Sequence, residues 1–393
     1  MIWVPWDFKM NLTFSEDMDE FIRELDSEYI LDGARQEMTP RQMLEEAVCP
    51  GSSEACRACS GEPVVDESVD PALDNTDFSG LDLHKCLEKM SEAECSVRAI
   101  PSSCPAEATL AELEFSLLDA IWKTGHFRLE NLAVDISWEW DAEPVGNLSA
   151  FYRSVEAACG YLDLLGVRLS GYEFRTGDSC RMTVLVREGN GRDELMDFIQ
   201  DARPVEMGNG RRCPGKLSGD RGSWLIYVPF DTCKFRLGGS LFSEMEGRTG
   251  GKVPDVRDYD YFMDCFEIVR EFVEDGVAVS GTTCGRGGLM RALAGICGED
   301  SGVTADISDV MRSYGETEKV NVLFGEVPGV LMEIRDSDFD YVDAEMLLQD
   351  VAYYPLGHPD GKGVSIVTGD AGNVSGILQS LMDSRDMAPE GED

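Results

Sequence analysis

The chain has 393 residues, 43% of them apolar, which is enough for two or three domains with real cores and excludes a disordered protein. Its 34 basic residues against 75 acids leave a net charge of −41, a field that disfavours non-specific nucleic-acid binding and adhesion to anionic membranes. Only nine of the basic residues are lysines, which raises a salt-adapted cytoplasm, but 13 cysteines and 17 methionines are no part of that adaptation, so a solvated acidic surface is the favoured reading.

The first residues, MIWVPWDFKMNLTF, are aromatic but lack a basic region followed by an apolar run, so no signal peptide is expected. No stretch reaches 18 consecutive apolar residues, so no membrane span is expected, and a cytoplasmic protein with reduced thiols follows. Residues 14–47 read as helical, with Met18, Phe21, Ile22 and Leu25 on one face. Residues 48–82 are rich in Pro, Gly, Ser and Asp and read as a long acidic loop. From Ala106 a helix carries Leu110, Leu113, Leu117, Leu118 and Ile121 on one face and ends in Gly125. Strand 131–137, helix 151–166, strand 167–171 and strands 180–186 and 223–230 follow. A second unit begins near Phe235, with a helix over 259–276 that stops at Gly276. Then come a strand and glycine turn in VAVSGTTCGRGGLMRAL (277–293), a strand at Gly302–Ile307, and VNVLFGEVPGVLMEI (320–334), which reads as a strand. Alternating strands and helices give an α/β or α+β class, and the tail from Ser384 is expected to be disordered.

Several motifs invite chemistry. GRRCPGKL (210–217) nearly spells a phosphate-cradling loop, but Leu217 stands where a magnesium-holding hydroxyl is required, so a loop between strands is the better reading. Cys49, Cys56 and Cys59, with Cys86, Cys95 and Cys104 downstream, hold one C-x2-C pair; unligated thiols are expected there rather than zinc. His84, His126 and His358 adjoin no recognisable nucleophile motif. The glycine turns say more. Gly238-Gly239-Ser240 and Gly285-Arg286-Gly287-Gly288 each precede a helix, where close backbone approach and the helix N-terminus favour an anion.

In order, LGGS (237–240), a helix ending EDG, the stretch 277–296, GVTADIS (302–308) and LFGEVPGVLMEI (323–334) resemble the second half of the phosphoribosylformylglycinamidine synthase family, the formylglycinamide ribonucleotide amidotransferases of purine biosynthesis. That family lies in the aminoimidazole ribonucleotide synthetase superfamily. The resemblance covers about 105–340 and extends, more weakly, toward 380. It implies a synthetase-like, ferredoxin-like N-terminal subdomain over 105–232, an α/β C-terminal subdomain over 233–383, a divergent region 1–104 and a disordered tail 384–393. It implies ATP or ADP and Mg2+ as cofactors, a phosphorylated small-molecule ligand, and a cofactor-binding set of Gly238, Gly239, Ser240, Gly285, Arg286, Gly287 and Gly288. Asp135 and Glu326 match acidic positions and are the expected metal ligands. A homodimer, or a complementary synthetase half with a glutaminase, is the partner implied; nucleic acid and membrane are not.

The departures are as informative. The family's His-Asp-x-Ser-Asp-Gly-Gly loop is Thr282, Thr283, Cys284, Gly285, Arg286, Gly287 and Gly288 here, without the histidine and both acids. No catalytic residue is assigned. The resemblance implies either one nucleotide-binding half of an ATP-dependent carbon–nitrogen ligase, working only with a partner, or a scaffold that keeps the fold and the pocket without catalysis. Arg286 is the residue offered to an anion.

Overall fold

The computed structural model describes residues 22–49, 78, 80–92, 99–123, 128–188, 211–247, 252–298, 301–361 and 363–368. The helix expected across 14–47 is broken in two, and its residues 14–21 lie outside the described ones. Helix α1 (Arg23–Asp26) is one turn, and α2 (Pro40–Val48) starts afresh. Between them β1 (Ile30–Leu31) and β2 (Ala34–Arg35) pair across Asp32 and Gly33, whose φ angles of 53° and 80° make the tight turn that an Asp-Gly dipeptide favours. Thr39 then caps α2 reciprocally with Gln42: the Gln42 N–H donates to the Thr39 hydroxyl at 3.3 Å, and the Thr39 N–H donates to Gln42 Oε1 at 2.8 Å.

After α3 (Leu83–Glu92), helix α4 (Pro105–Ile121) opens the recognisable region. Strand β3 (Leu132–Trp140) is central in a three-stranded sheet, parallel to β4 (Arg168–Thr176) and antiparallel to β5 (Arg181–Glu188), with α5 (Asn147–Leu165) between β3 and β4 in the chain. Alternate residues Leu132, Val134, Ile136, Trp138 and Trp140 are buried in one apolar core with residues of α4 and α5. Trp138 Nε1 donates to Ser154 Oγ at 3.0 Å, and that hydroxyl is 2.7 Å from Thr109 Oγ1, so these three polar groups are matched across β3, α4 and α5. Gly166, at φ 68°, ends α5 in the left-handed conformation.

A second sheet runs β10 (Tyr354–Gly357), β6 (Trp224–Pro229), β9 (Gly329–Ile334), β7 (Ala278–Cys284), with every neighbouring pair antiparallel. Thus β6, which the sequence assigns to the unit 105–232, is hydrogen-bonded among strands of the following unit. The third sheet is β11 (Pro359–Asp360), β8 (Gly302–Asp306), β12 (Gly363–Val367). Around these lie α6 (Leu241–Met245), α7 (Tyr259–Glu274), α8 (Gly288–Ile296), α9 (Ser308–Tyr314), α10 (Lys319–Phe324) and α11 (Phe339–Leu348). The strand expected over 320–334 is therefore two elements: its first five residues lie in α10, and Gly329 starts β9. Every residue of β9 is buried because the second sheet has a core on each side: Val330, Met332 and Ile334 pack with α4 and α7, while Leu331 packs with α8 and α10. Among the described residues no helix is long and apolar enough to cross a membrane. The tail from Ser384, Gly125, His126 and Cys56, Cys59 and Cys95 lie outside the described residues.

Candidate functional site

The two glycine turns come together. The first, Gly238-Gly239-Ser240, enters α6: the Gly238 N–H donates to the Lys252 carbonyl at 2.9 Å, and Gly239 adopts φ 64°. Ser240 is fully buried and caps α6, accepting the Ser243 N–H at 3.2 Å while its hydroxyl donates to the Leu237 carbonyl at 2.6 Å. The second turn joins β7 to α8. Gly287 and Gly288 have φ 89° and 65°, and the Gly288 N–H donates to the Gly285 carbonyl at 2.9 Å. Gly285 lies against the Phe115 ring of α4, where an added Cβ would sit 3.4 Å from the ring.

What joins these turns is Glu326, from the segment between α10 and β9. Its side chain is completely buried, and its Oε1 accepts the N–H of Leu241 and the N–H of Gly287, each at 2.8 Å. The protein thus supplies its own carboxylate to the paired turns, where the sequence leads one to expect a ligand's anion. This position is favourable for the carboxylate because α8 directs the positive end of its backbone dipoles at it. Glu326, expected to hold a metal, acts here as an internal anion that ties two turns.

Arg286 lies between them. Its Nη2 is 2.6 Å from Glu244 Oε2 on α6, and its side chain is 15% exposed. Its Nε and Nη1 are buried and have no hydrogen-bond partner among the described residues. Two buried guanidinium donors without acceptors are costly, and a ligand's oxygens are one way to satisfy them. Upstream in the same loop, Thr283 accepts from Trp122 Nε1 at 2.9 Å and donates to Asp119 Oδ1 at 2.6 Å. The position is therefore committed to holding α4 against β7.

Asp135, the other expected metal ligand, is on β3. Its Oδ1 accepts from Ser170 Oγ at 2.6 Å, and its Oδ2 is paired with Arg187 Nε at 2.6 Å. Glu326 Oε1 thus serves two backbone donors and Asp135 is paired with an arginine, so each expected metal ligand has a protein partner in this structure. Among the described residues no group of three or more His, Cys, Asp or Glu side chains could hold a metal. In the near-miss of a phosphate loop, Lys216 Nζ donates to the carbonyls of Gly295 and Cys297 at 2.6 and 2.9 Å, closing the end of α8, and Leu217 is buried.

Two acids escape the motif reading, one with no signal in the sequence and one with a signal that could have found it. Glu244, the partner of Arg286, is 42 residues away and gives no motif. Glu114, by contrast, has a signal: an acid flanked by Leu113 and Phe115 in an apolar helix that turns out buried nearly all round.

No family model matches the chain. Among curated proteins it is similar to the probable phosphoribosylformylglycinamidine synthase, chloroplastic/mitochondrial, of Arabidopsis thaliana, with 30% identity over 240 residues, or 58% of this chain and 16% of that one. The phosphoribosylformylglycinamidine synthase of Homo sapiens is 25% identical over 211 residues, covering 52% and 15%, and that of Drosophila melanogaster 24% identical over 279 residues, covering 68% and 20%. The matched stretch is thus about a sixth to a fifth of the length of these relatives. Of solved structures, PurLQS from Thermotoga maritima superimposes with a TM-score of 0.45 and 12% identity over 69% of this chain and 40% of that one. PurL of the same organism complexed with FGAR gives 0.44 and 12% over 70% and 43%. Over roughly half to two thirds of its own length, the chain is thus similar in sequence to phosphoribosylformylglycinamidine synthases.

Proposed function

We propose that this chain binds a phosphorylated small molecule of the nucleotide or phosphoribosyl class, and contributes that binding half to an ATP-dependent, purine-biosynthetic amidotransferase of the phosphoribosylformylglycinamidine synthase kind. A complementary synthetase half and a glutaminase would come from partners. The observation that carries this reading is Arg286, a buried guanidinium on a glycine turn whose Nε and Nη1 are unspent while Glu244 fixes Nη2. The paired turns already hold Glu326, so the arginine supplies the charge that a phosphate would meet.

A second reading, binding without catalysis, is favoured by the loop 282–288, which offers no acid or histidine, and by the protein partners that Asp135 and Glu326 Oε1 already have. Titration calorimetry with ATP–Mg, with formylglycinamide ribonucleotide and with inorganic phosphate, on the wild type and on Arg286→Ala, tests binding. Loss of two charged hydrogen bonds worth about 1.5 kcal/mol or more each predicts at least a hundredfold weaker affinity. Equal affinity in the variant removes Arg286 from the site, and no binding of any of the three ligands removes the proposal. Ligand binding without turnover when the partner components are added selects the second reading.

A further inference from the structure

Glu114 is an acid that neither the site nor the core requires. It lies on α4, is completely buried, and accepts a hydrogen bond on Oε1 from the Tyr161 hydroxyl of α5. Its Oε2 has no hydrogen-bond partner among the described residues. The charged groups that act on it are acids: Asp231, 2% exposed, on the segment that leaves β6, and Asp258. Burial raises the Asp231 carboxyl above its usual range, but three backbone donors oppose this and favour its charged form: its Oδ1 accepts the Cys233 N–H at 2.7 Å, and its Oδ2 accepts the N–H groups of Arg257 and Asp258 at 3.0 and 3.1 Å. Two buried carboxyls acting on each other without a cation do not both ionise, and the one with three backbone donors holds the negative charge. Glu114 then keeps the proton.

The location gives this a consequence. On one side of Glu114 lie α4 and α5; on the other lie the 231–233 segment and Asp258, the cap of α7. Ala111 and Phe115, on the same helix, pack on Val256 and Cys233. The other titratable groups of the neighbourhood are Tyr161 on α5, Cys233, Asp258 and Cys265 on α7. The strands packed on α4 carry Cys284 on β7, buried and apolar in its surroundings, and Glu333 on β9, which is held by the hydroxyls of Ser218, Ser223 and Ser280. On β5 the charged Arg181 and Arg187 are exposed. Among the described residues no arginine or lysine is one of the charges that act on Glu114, and the buried Arg270 of α7 is engaged by Glu267, Glu271 and Glu274.

We propose that Glu114 is a proton-operated latch between the α4–α5 layer and the segments that flank the second sheet: protonated, it holds α4 against residues 231–233 and the start of α7; ionised, it repels Asp231 and loosens that contact. Burial and the charge of Asp231 both push the Glu114 carboxyl well above its usual range, so the neutral form persists as pH rises past that range. The sign follows. Native Glu114 holds its proton where the unfolded chain has lost it, so its contribution is complete in acid and is lost as pH rises through the native value.

The experiment is hydrogen–deuterium exchange of the full chain from pH 5 to pH 9, corrected for intrinsic rates, comparing the wild type with Glu114→Gln. In the wild type, opening of α4 and of the 229–235 and 255–262 segments grows by up to about tenfold per pH unit from the usual carboxyl range upward, and levels off only where native Glu114 itself ionises. In Glu114→Gln, whose amide stays neutral, opening of the same segments is flat. Parallel curves for the two proteins, or a flat wild-type curve, overturn the proposal. Should Glu114→Gln not fold, Tyr161→Phe serves: it removes a hydrogen bond that favours the ionised form, so the levelling-off of the opening curve shifts to higher pH, and an unmoved profile overturns the proposal equally.

Discussion

Replacing Glu326 tests the central geometric claim, that one carboxylate oxygen ties the two glycine turns. Glu326→Ala deletes the acceptor of two buried backbone donors, Leu241 N–H and Gly287 N–H. Each donor left unsatisfied costs about 1–3 kcal/mol, and loss of a negative charge at the start of α8 adds roughly 0.3–1 kcal/mol. A loss of about 2–7 kcal/mol follows, a large share of the ~5–15 kcal/mol that holds a typical domain. Glu326→Gln keeps an oxygen in place and gives up only the charge assistance, about 1–2 kcal/mol in total. Urea unfolding followed by far-ultraviolet circular dichroism measures both, provided the slope with denaturant is unchanged. An alanine variant within about 0.5 kcal/mol of wild type would refute the tie. So would a glutamine variant as damaged as the alanine one, since the argument rests on the acceptor more than on the charge.

Gly288→Ala places a Cβ 2.7 Å from the Leu323 carbonyl oxygen in a residue with φ 65°, and is expected to cost about 2–4 kcal/mol in the same assay. Gly276→Ala, at φ 71° with nothing within 4 Å of its Cβ, is the control and should lose only the backbone part, about 1–2 kcal/mol; equal losses would deny the steric contact. Asp26 is held below its usual carboxyl range by its pairing with Arg41 and by the Ile22 N–H that donates to it at 2.8 Å, so it contributes stability above its unfolded value of 3.8 that is lost as pH falls through the native one. Asp26→Asn should flatten that part of the acid limb in pH-dependent melting, and an unchanged limb would show that the pair adds nothing.

The recognisable elements were legible where local chemistry dominates. Apolar alternation marks β3 from Leu132, the pattern and Gly166 mark α5, and Gly-Gly before an apolar run marks the entry to α8. Local patterning misled where a turn signal is only two residues long: Asp32-Gly33 reverses the chain inside what reads as a continuous helix. It misled again at Val320–Phe324, where continuous apolar character suits a buried helix as well as a strand, and packing on both sides decides for the helix. Of the site, the glycines and Arg286 could be named from sequence, because glycine turns carry a local signature. That Glu326 fills the space between them, and that Glu244 fixes the arginine, depend on contacts across 85, 39 and 42 residues, which no spacing rule encodes.

The second sheet also bears on how this chain can be handled and inherited. Its β6 and β9 present Ile226, Val228, Val330 and Met332 to one core and Leu225, Tyr227 and Leu331 to the other. A cut at residue 232, between the two units that the sequence suggests, would leave β6 with one fragment and β7, β9 and β10 with the other, stripping both fragments of a wall they share. Neither half should be expressible as a folded piece, and recombination between such halves would have to carry the whole sheet across.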